Sequence, residues 1–223
     1  MRHPYFDSRF FAFLRELKVH NRREWFAANK ERYQRDVEAP MQQFISDFAS
    51  RLRHISPRFL ADPRRVGGSM FRIYRDTRFS ADKTPFKTWV SARFQHDARD
   101  QPSVPGFYLH LEPGDSMGGG GLYHPDPASL LRVRERIAGA PKEWQAVLAR
   151  GLEVHGDTLK RVPAGFDASH RFAEDLKRKD HYVMTSFTAR EVTGPAFLDR
   201  FTATCEEAAP LVAFLTRALG LRW

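Results

Sequence analysis

The chain has 223 residues, of which 42% are hydrophobic, and a formal net charge of +9 at pH 7. This length can bury a substantial core, and no linker-like stretch divides it, so we expect a single domain over residues 1–223. The lone cysteine, Cys205, excludes an internal disulfide, and no apolar run approaches the roughly 18 residues of a membrane span. The opening MRHPYFDS has no apolar core of signal-peptide length, so we expect a cytoplasmic protein with no membrane partner.

Helices are predicted in the N-terminal part of the chain. Asp7 or Ser8 can cap a first helix, whose phenylalanines and leucines recur at helical spacing. Asn21 followed by Glu24 resembles a capping box that begins a second helix. Pro40 should kink that helix or begin a third. The aromatic stripes of these helices are interpreted as core.

Four strands are predicted next, over about 69–76, 89–95, 106–112 and 119–124, because apolar and polar residues alternate there. The apolar residues that can share one face of the resulting sheet are Phe71, Ile73, Val90, Ala92, Phe94, Phe107, Leu109 and Leu111. That face should meet the helices. The predicted class is therefore α+β, a mostly antiparallel sheet with helices from both chain ends packed on one face.

The C-terminal part should be mainly helical. Asp126 and Pro127 form a good N-cap and first-turn pair for one helix, and Pro141 opens another. A further strand is predicted over about 182–187, and Pro195 begins the last helical region.

Polar and aromatic side chains are predicted on the other sheet face, and they are Arg72, Tyr74, Ser91, Arg93, Tyr108, His110, Glu112 and Tyr123. An antiparallel sheet often leaves one face in water, so a solvated surface is the alternative to a site. The mixture of Arg, Tyr and His is richer in recognition chemistry than a merely soluble face, which favours a site.

Positive charge is concentrated just before and within a long polar loop, residues 76–87. Residues 64–99 hold nine Lys or Arg against three Asp, whereas residues 100–126 hold four acids and no Lys or Arg. The cations predicted to bind a ligand are Arg72, Arg75, Arg78, Lys83 and Lys87.

Four consecutive glycines, Gly118–Gly121, could present backbone N–H groups to an anion, and the predicted N-terminus of the Asp126 helix follows closely. The tract matches neither a P-loop nor a dinucleotide fingerprint. A bulged or tightly turned hairpin is the favoured structural interpretation.

His110 is the best acid or base candidate, with Asp76 or Glu112 available to orient it. The His and acidic residues form no recognised metal-ligand set, so no metal is predicted, and no pattern identifies a cofactor. No nucleophile motif is present either.

The motif FRIYRDTRFSADKTPFKT, followed by PGFYLHLEPG and GGGGLYHPD, resembles the uncharacterised bacterial and fungal family known as domain of unknown function 2461. The resemblance extends to the opening FFAFLRELKVHNRREWFAANKERY and the closing APLVAFLTRALG, and it implies no particular activity. Members usually carry Tyr after the loop proline, where this chain has Phe86, so position 86 is left out of the predicted site.

Three roles remain open for the basic stretch. It could hold a phosphate-bearing or other anionic small molecule, with acid or base chemistry as an extension. It could bind nucleic acid, with tyrosines stacking on bases. It could also pair internally, with Asp76, Asp82 and Glu112 neutralising Arg72, Arg75 and Arg78. The predicted ligand-binding residues are Arg72, Tyr74, Arg75, Arg78, Lys83, Lys87, Tyr108, Gly119, Gly120 and Tyr123.

Overall fold

The structure is a computed structural model that describes residues 3–223. Its helices are α1 Ser8–Val19, α2 Arg23–Ala28, α3 Lys30–Tyr33, α4 Ala39–Ile55, α5 Pro127–Gly139, α6 Pro141–Leu148, α7 Ala173–Lys177, α8 Ala189–Val192 and α9 Phe197–Ala218, and a π-helical turn, Gln34–Glu38, joins α3 to α4. Its strands are β1 Val90–Gln95, β2 Gly106–Leu111, β3 Ser116–Leu122 and β4 His181–Phe187. The predicted α+β class is confirmed.

The four strands form one antiparallel sheet in the order β1-β2-β3-β4. Ala92 lies opposite Leu109, and Phe94 lies opposite Phe107. All four of these side chains are fully buried, so the alternation predicted for β1 and β2 is confirmed.

Helices from both ends of the chain cover this buried face. Phe48 of α4 lies 4.8 Å from Phe94 and 4.9 Å from Phe201 of α9, measured between ring centroids. These contacts join the N-terminal helices, the sheet and the C-terminal helix in one hydrophobic core.

The glycine tract, Gly118–Gly121, lies inside the regular strand β3, so the predicted hairpin is wrong. A Cβ atom at Gly118 would lie 2.9 Å from the Phe201 ring, and one at Gly120 would lie 2.8 Å from Val212. Both neighbours belong to α9, so the missing side chains let this helix approach the sheet closely.

The segment predicted as the first strand, about residues 69–76, is extended but does not join the sheet as a strand. Only isolated bridges occur there, from Met70 to Ala92 and from Tyr74 to Phe86. The second bridge belongs to the chain's own loop, so the segment leaves the sheet edge after a few residues.

Phe71 was predicted to face the core, and this is wrong, because its side chain is 42% exposed. The register explains the error, since Met70 aligns with the inward-facing Ala92 and Phe71 therefore points to the opposite side. Ile73 is buried as predicted.

Single N-cap residues were predicted correctly from the sequence, whereas the two-residue capping box was not. Asp7 caps α1 and Asp126 caps α5 through backbone N–H groups of the first turn, as predicted. Pro40 lies in the first turn of α4, after the π-helical turn. The capping box predicted at Asn21 is wrong, because its side-chain amide instead exchanges hydrogen bonds of 2.9 and 3.1 Å with the backbone of Phe86.

Within residues 3–223, none of the helices has the length and apolar character needed to span a bilayer.

Candidate functional site

Two arginines of the basic stretch are paired with acidic residues of the same stretch. The Arg75 guanidinium donates hydrogen bonds to the Asp82 carboxylate and the Thr84 hydroxyl. Arg78 Nη2 donates to Asp76 Oδ2 at 2.7 Å. Internal pairing, one of the three predicted roles, therefore accounts for the charges of Arg75 and Arg78.

These pairs lower the pKa of both carboxyls. Hydrogen bonds from Arg78 lower the pKa of Asp76. The backbone N–H of Thr84, followed by the Arg75 guanidinium, lowers the pKa of Asp82 to about 2. Both aspartates therefore carry the negative charge that holds their arginines at neutral pH.

The two lysines of the loop contact backbone carbonyls. Lys83 Nζ donates to the Thr77 carbonyl at 2.9 Å, and Lys87 Nζ donates to the Arg72 carbonyl at 3.0 Å. Lys87 also lies 5.3 Å from the centre of the Phe71 ring, and burial lowers its pKa. Carbonyl groups of this stretch thus bind its lysines, as its carboxylates bind Arg75 and Arg78.

Arg72 and Tyr74 differ from the rest of the stretch, because they line a cavity of about 260 Å³ between the N-terminal helices and the extended segment. The other residues of its lining are Phe26, Lys30, Tyr33, Glu38, Gln42, Arg65, Val66, Met70, Phe71 and Ile73. The lining therefore includes aromatic and aliphatic side chains, and its charged groups come from three separate parts of the chain.

Tyr33 is the most deeply buried polar residue of this lining, with 5% of its surface exposed. Its hydroxyl has no hydrogen-bond partner among residues 3–223. Burial, and next the Glu38 carboxylate, raise its pKa, so the phenol stays protonated and can donate a hydrogen bond.

The cations of the cavity are of two kinds. Arg65 forms a two-point pair with Glu38, at 2.9 and 2.7 Å. The side chains of Lys30 and Arg72 have no acidic or hydrogen-bonding partner in the part of the chain that the structure describes. These two charges are available to a ligand.

A separate cluster lies on the sheet face opposite the core. Tyr108 Oη lies 3.1 Å from His110 Nδ1, and His110 Nε2 lies 3.2 Å from Glu112 Oε2. The Trp89 ring stacks on the imidazole at 5.7 Å, and the Thr88 hydroxyl donates to Glu112. Glu112 is thus the carboxylate beside His110, whereas Asp76, the other predicted partner, bonds to Arg78.

Both ring nitrogens of His110 are occupied in this chain of contacts. With Nε2–H donated to Glu112, Nδ1 accepts the Tyr108 hydroxyl proton. A hydrogen bond from Ser91 also reaches Tyr108, whose pKa is nevertheless raised by burial. The group that could face a substrate is therefore the Tyr108 hydroxyl, with His110 behind it.

The glycines predicted to bind an anion lie in an inner strand whose backbone pairs with both neighbours. Gly120 faces α9, and Gly119 lies opposite Tyr108 on the outer face, where a Cβ would be 1.9 Å from the Val183 carbonyl. Tyr123 is 62% exposed, beside Tyr182. None of these residues lines the cavity.

In residues 3–223 no three or more His, Cys, Asp and Glu side chains are grouped so that they could hold a metal ion.

Sequence patterns did not identify Lys30, Tyr33, Glu38 and Arg65 as site residues. The first three lie in the N-terminal helical region, whose aromatic stripes were interpreted as core. One usable signal was present. Position 33 carries a tyrosine in the same apolar stripe as Trp25, Phe26 and Val37, and a hydroxyl at a core position needs a partner.

One family model, described as "Conserved hypothetical protein (DUF2461)", matches residues 9–214. No curated protein and no solved structure matches the chain. The matched range includes the extended segment, the basic loop, the sheet and nearly all of α9. The chain therefore belongs to the conserved hypothetical protein family DUF2461.

Proposed function

We propose that the protein binds a small anionic molecule in the cavity lined by Lys30, Tyr33, Arg72 and Tyr74. The observation that carries this proposal is that two unpaired cations and a phenol hydroxyl with no hydrogen-bond partner among residues 3–223 line the same cavity of about 260 Å³. A ligand oxygen that accepts a hydrogen bond from the Tyr33 hydroxyl would supply a partner that the protein itself does not.

The sign of the charge follows from the groups that line the cavity. Lys30, Arg65 and Arg72 are positive and Glu38 is negative, so the local balance is +2. Because the Arg65–Glu38 pair is already neutral, the excess resides on Lys30 and Arg72, and a cavity of this sign concentrates anions.

The size of the cavity supports a small ligand. Its volume is just below the roughly 300–1,000 Å³ of typical ligand pockets. A metabolite would fit, whereas a polymer would need an extended groove of unpaired cations.

Nucleic acid binding was the alternative for the same stretch, and internal pairing weakens its support. Arg75 and Arg78 would have to leave Asp82 and Asp76 to contact phosphates. If only the two unpaired cations engaged a duplex, log affinity would fall against log salt with a slope of about −1.8, whereas five contacts would give about −4.5. A slope steeper than about −3 for an oligonucleotide would favour the nucleic-acid role.

The proposal is tested with Lys30→Gln and Arg72→Gln, using inorganic phosphate and ribose 5-phosphate as probes. We expect the probes to raise the melting temperature of the unaltered protein, and each variant to weaken binding about tenfold or more, the usual effect of losing a charged hydrogen bond. Arg78→Gln is the matched control, since Arg78 is paired with Asp76 and does not line the cavity. The proposal fails if neither probe binds, or if the control loses as much affinity as the test variants.

Acid–base catalysis on the outer sheet face is a second candidate function, favoured by the continuous contacts from Tyr108 through His110 to Glu112. In hydrolysis of p-nitrophenyl acetate, the Tyr108 oxygen would bond to the acetyl carbon while its proton passes to His110 Nδ1 and p-nitrophenolate leaves. Water would then hydrolyse the acetylated tyrosine.

For this candidate we expect Tyr108→Phe and Glu112→Gln to lower the hydrolysis rate by about 10²–10⁴-fold, the range of acid–base catalysis. Tyr182→Phe, on β4 of the same sheet, is the control. Equal rates in all the proteins would exclude the tyrosine and its neighbours from catalysis.

A further inference from the structure

We infer that the ligand of the cavity is a nucleoside monophosphate, whose phosphate lies at Lys30 and Arg72 and whose base stacks on Tyr74. This inference rests on the proposed function, because it names the ligand class of the same site.

The charge balance favours a phosphate monoester over a carboxylate. The four charged residues of the lining sum to +2. A phosphate monoester carries about −1.5 to −2 at pH 7, whereas a single carboxylate carries only one negative charge. A phosphate therefore neutralises the cavity more completely.

Three polar groups of the lining are hydrogen-bond donors without a partner in the described residues. The Tyr33 phenol is a hydrogen-bond donor, the Lys30 ammonium has three N–H groups, and the Arg72 guanidinium has a planar fork of N–H groups. Phosphate oxygens act as acceptors for all three, and the fork suits two of those oxygens at once.

An aromatic ring is available for the base. Tyr74 is 58% exposed, although it lines the cavity. Phe26 at 6.1 Å and Phe86 at 5.4 Å, both in tilted or edge-on contact, hold its ring in place. The exposed part of the ring can stack on a flat heterocycle, a contact worth on the order of tenfold in affinity.

Gln42 adds a group that can recognise the edge of a base. Its side chain lines the cavity and makes no hydrogen bond to another residue of the described range. A side-chain amide offers both donors and an acceptor, which match the mixed edge of a base better than they match phosphate oxygens.

Calorimetric titration with AMP, UMP, ribose 5-phosphate and adenosine tests the inference. We expect AMP and UMP to bind at least about tenfold more tightly than ribose 5-phosphate, because only the nucleotides add a stacked base. Tyr74→Ala should abolish this difference between the nucleotides and ribose 5-phosphate, and Tyr74→Phe should retain it. Phe79→Ala is the control, since Phe79 is a 95% exposed aromatic of the adjoining loop and does not line the cavity.

Each contrary outcome has a distinct meaning. If ribose 5-phosphate binds as tightly as the nucleotides, the nucleotide inference is wrong while small-anion binding stands. If adenosine binds as tightly as AMP, the phosphate part of the inference is wrong. If none of the phosphorylated probes binds, the inference and the proposed function both fail.

Discussion

Two regions of the molecule each bury a polar side chain that has no hydrogen-bond partner among residues 3–223. His181, at the start of β4, is fully buried against the Trp144 ring, and neither of its ring nitrogens is bonded. Tyr33 is 5% exposed, and its hydroxyl lies at the cavity. The imidazole is enclosed by the core, whereas the phenol adjoins open space.

The surroundings determine what each group can do. Burial lowers the pKa of His181 to about 3, and the nearby Asp175 backbone, which favours protonation, only partly offsets this. The imidazole therefore stays neutral, and its missing hydrogen bonds are a cost of folding. The Tyr33 hydroxyl can regain its bond from a ligand. Of these two groups, only the Tyr33 hydroxyl, which lies at the cavity, is available to a ligand.

The largest expected difference between the two residues is in how the free energy of unfolding depends on pH. In the unfolded chain a histidine binds a proton below about pH 6.5, but His181 in the folded protein does so only below about pH 3. Because the unfolded state gains the proton first, the free energy of unfolding should fall by about 1.4 kcal/mol per pH unit as pH decreases between these values. His181→Phe should remove this contribution, measured by urea unfolding near pH 7 and near pH 4.

The exposed His54 supplies the control for that experiment, as His54→Gln should retain the acid dependence of the unaltered protein. An unchanged pH dependence in His181→Phe would mean that the folded protein accommodates a charged imidazole at this position.

A smaller and opposite effect is expected at the cavity. Tyr33→Phe removes a hydroxyl that has no partner in the absence of ligand, so the free energy of unfolding should stay level or rise by about 1 kcal/mol. The same change should weaken phosphate binding, because the donated hydrogen bond is lost. Urea unfolding and calorimetry measure the two outcomes, with the exposed Tyr74→Phe as control. A clear loss of stability would show that the hydroxyl already bonds within the protein.

The smallest expected effect is a difference in melting temperature between variants of Arg75, which is paired with an acid, and of Arg72, which is not. Arg75→Gln should lower the melting temperature by roughly 1–3 °C, since it leaves Asp82 without its partner. Arg72→Gln should leave the melting temperature level or raise it slightly, because Arg72 has no acidic partner to lose and lies near Lys87. Thermal unfolding of both variants in the same buffer tests this, and equal losses would remove the distinction between the two arginines.

Local patterns were sufficient for much of the fold. Alternation predicted β1 and β2 with their buried faces, and single caps such as Asp126 predicted helix starts, because these features depend on neighbours a few residues away. The prediction for the glycines of β3 was wrong because these residues allow α9, about 90 residues later in the chain, to pack closely on the sheet. Gly120, which faces Val212, is an example.

The residues of the candidate site were predicted only in part, for the same reason. The density of cations in 72–87 was visible in the sequence, but whether a given charge is free depends on which carboxylates and carbonyls the folded loop brings within hydrogen-bond distance. Tertiary structure paired Arg75 with Asp82, left Arg72 unpaired, and placed it in the lining of the same cavity as Tyr33 from a distant helix. Local sequence patterns are enough to predict the class of fold and the sign of the charge. Which charges are available, and where the cavity lies, depend on long-range packing, which no local pattern encodes.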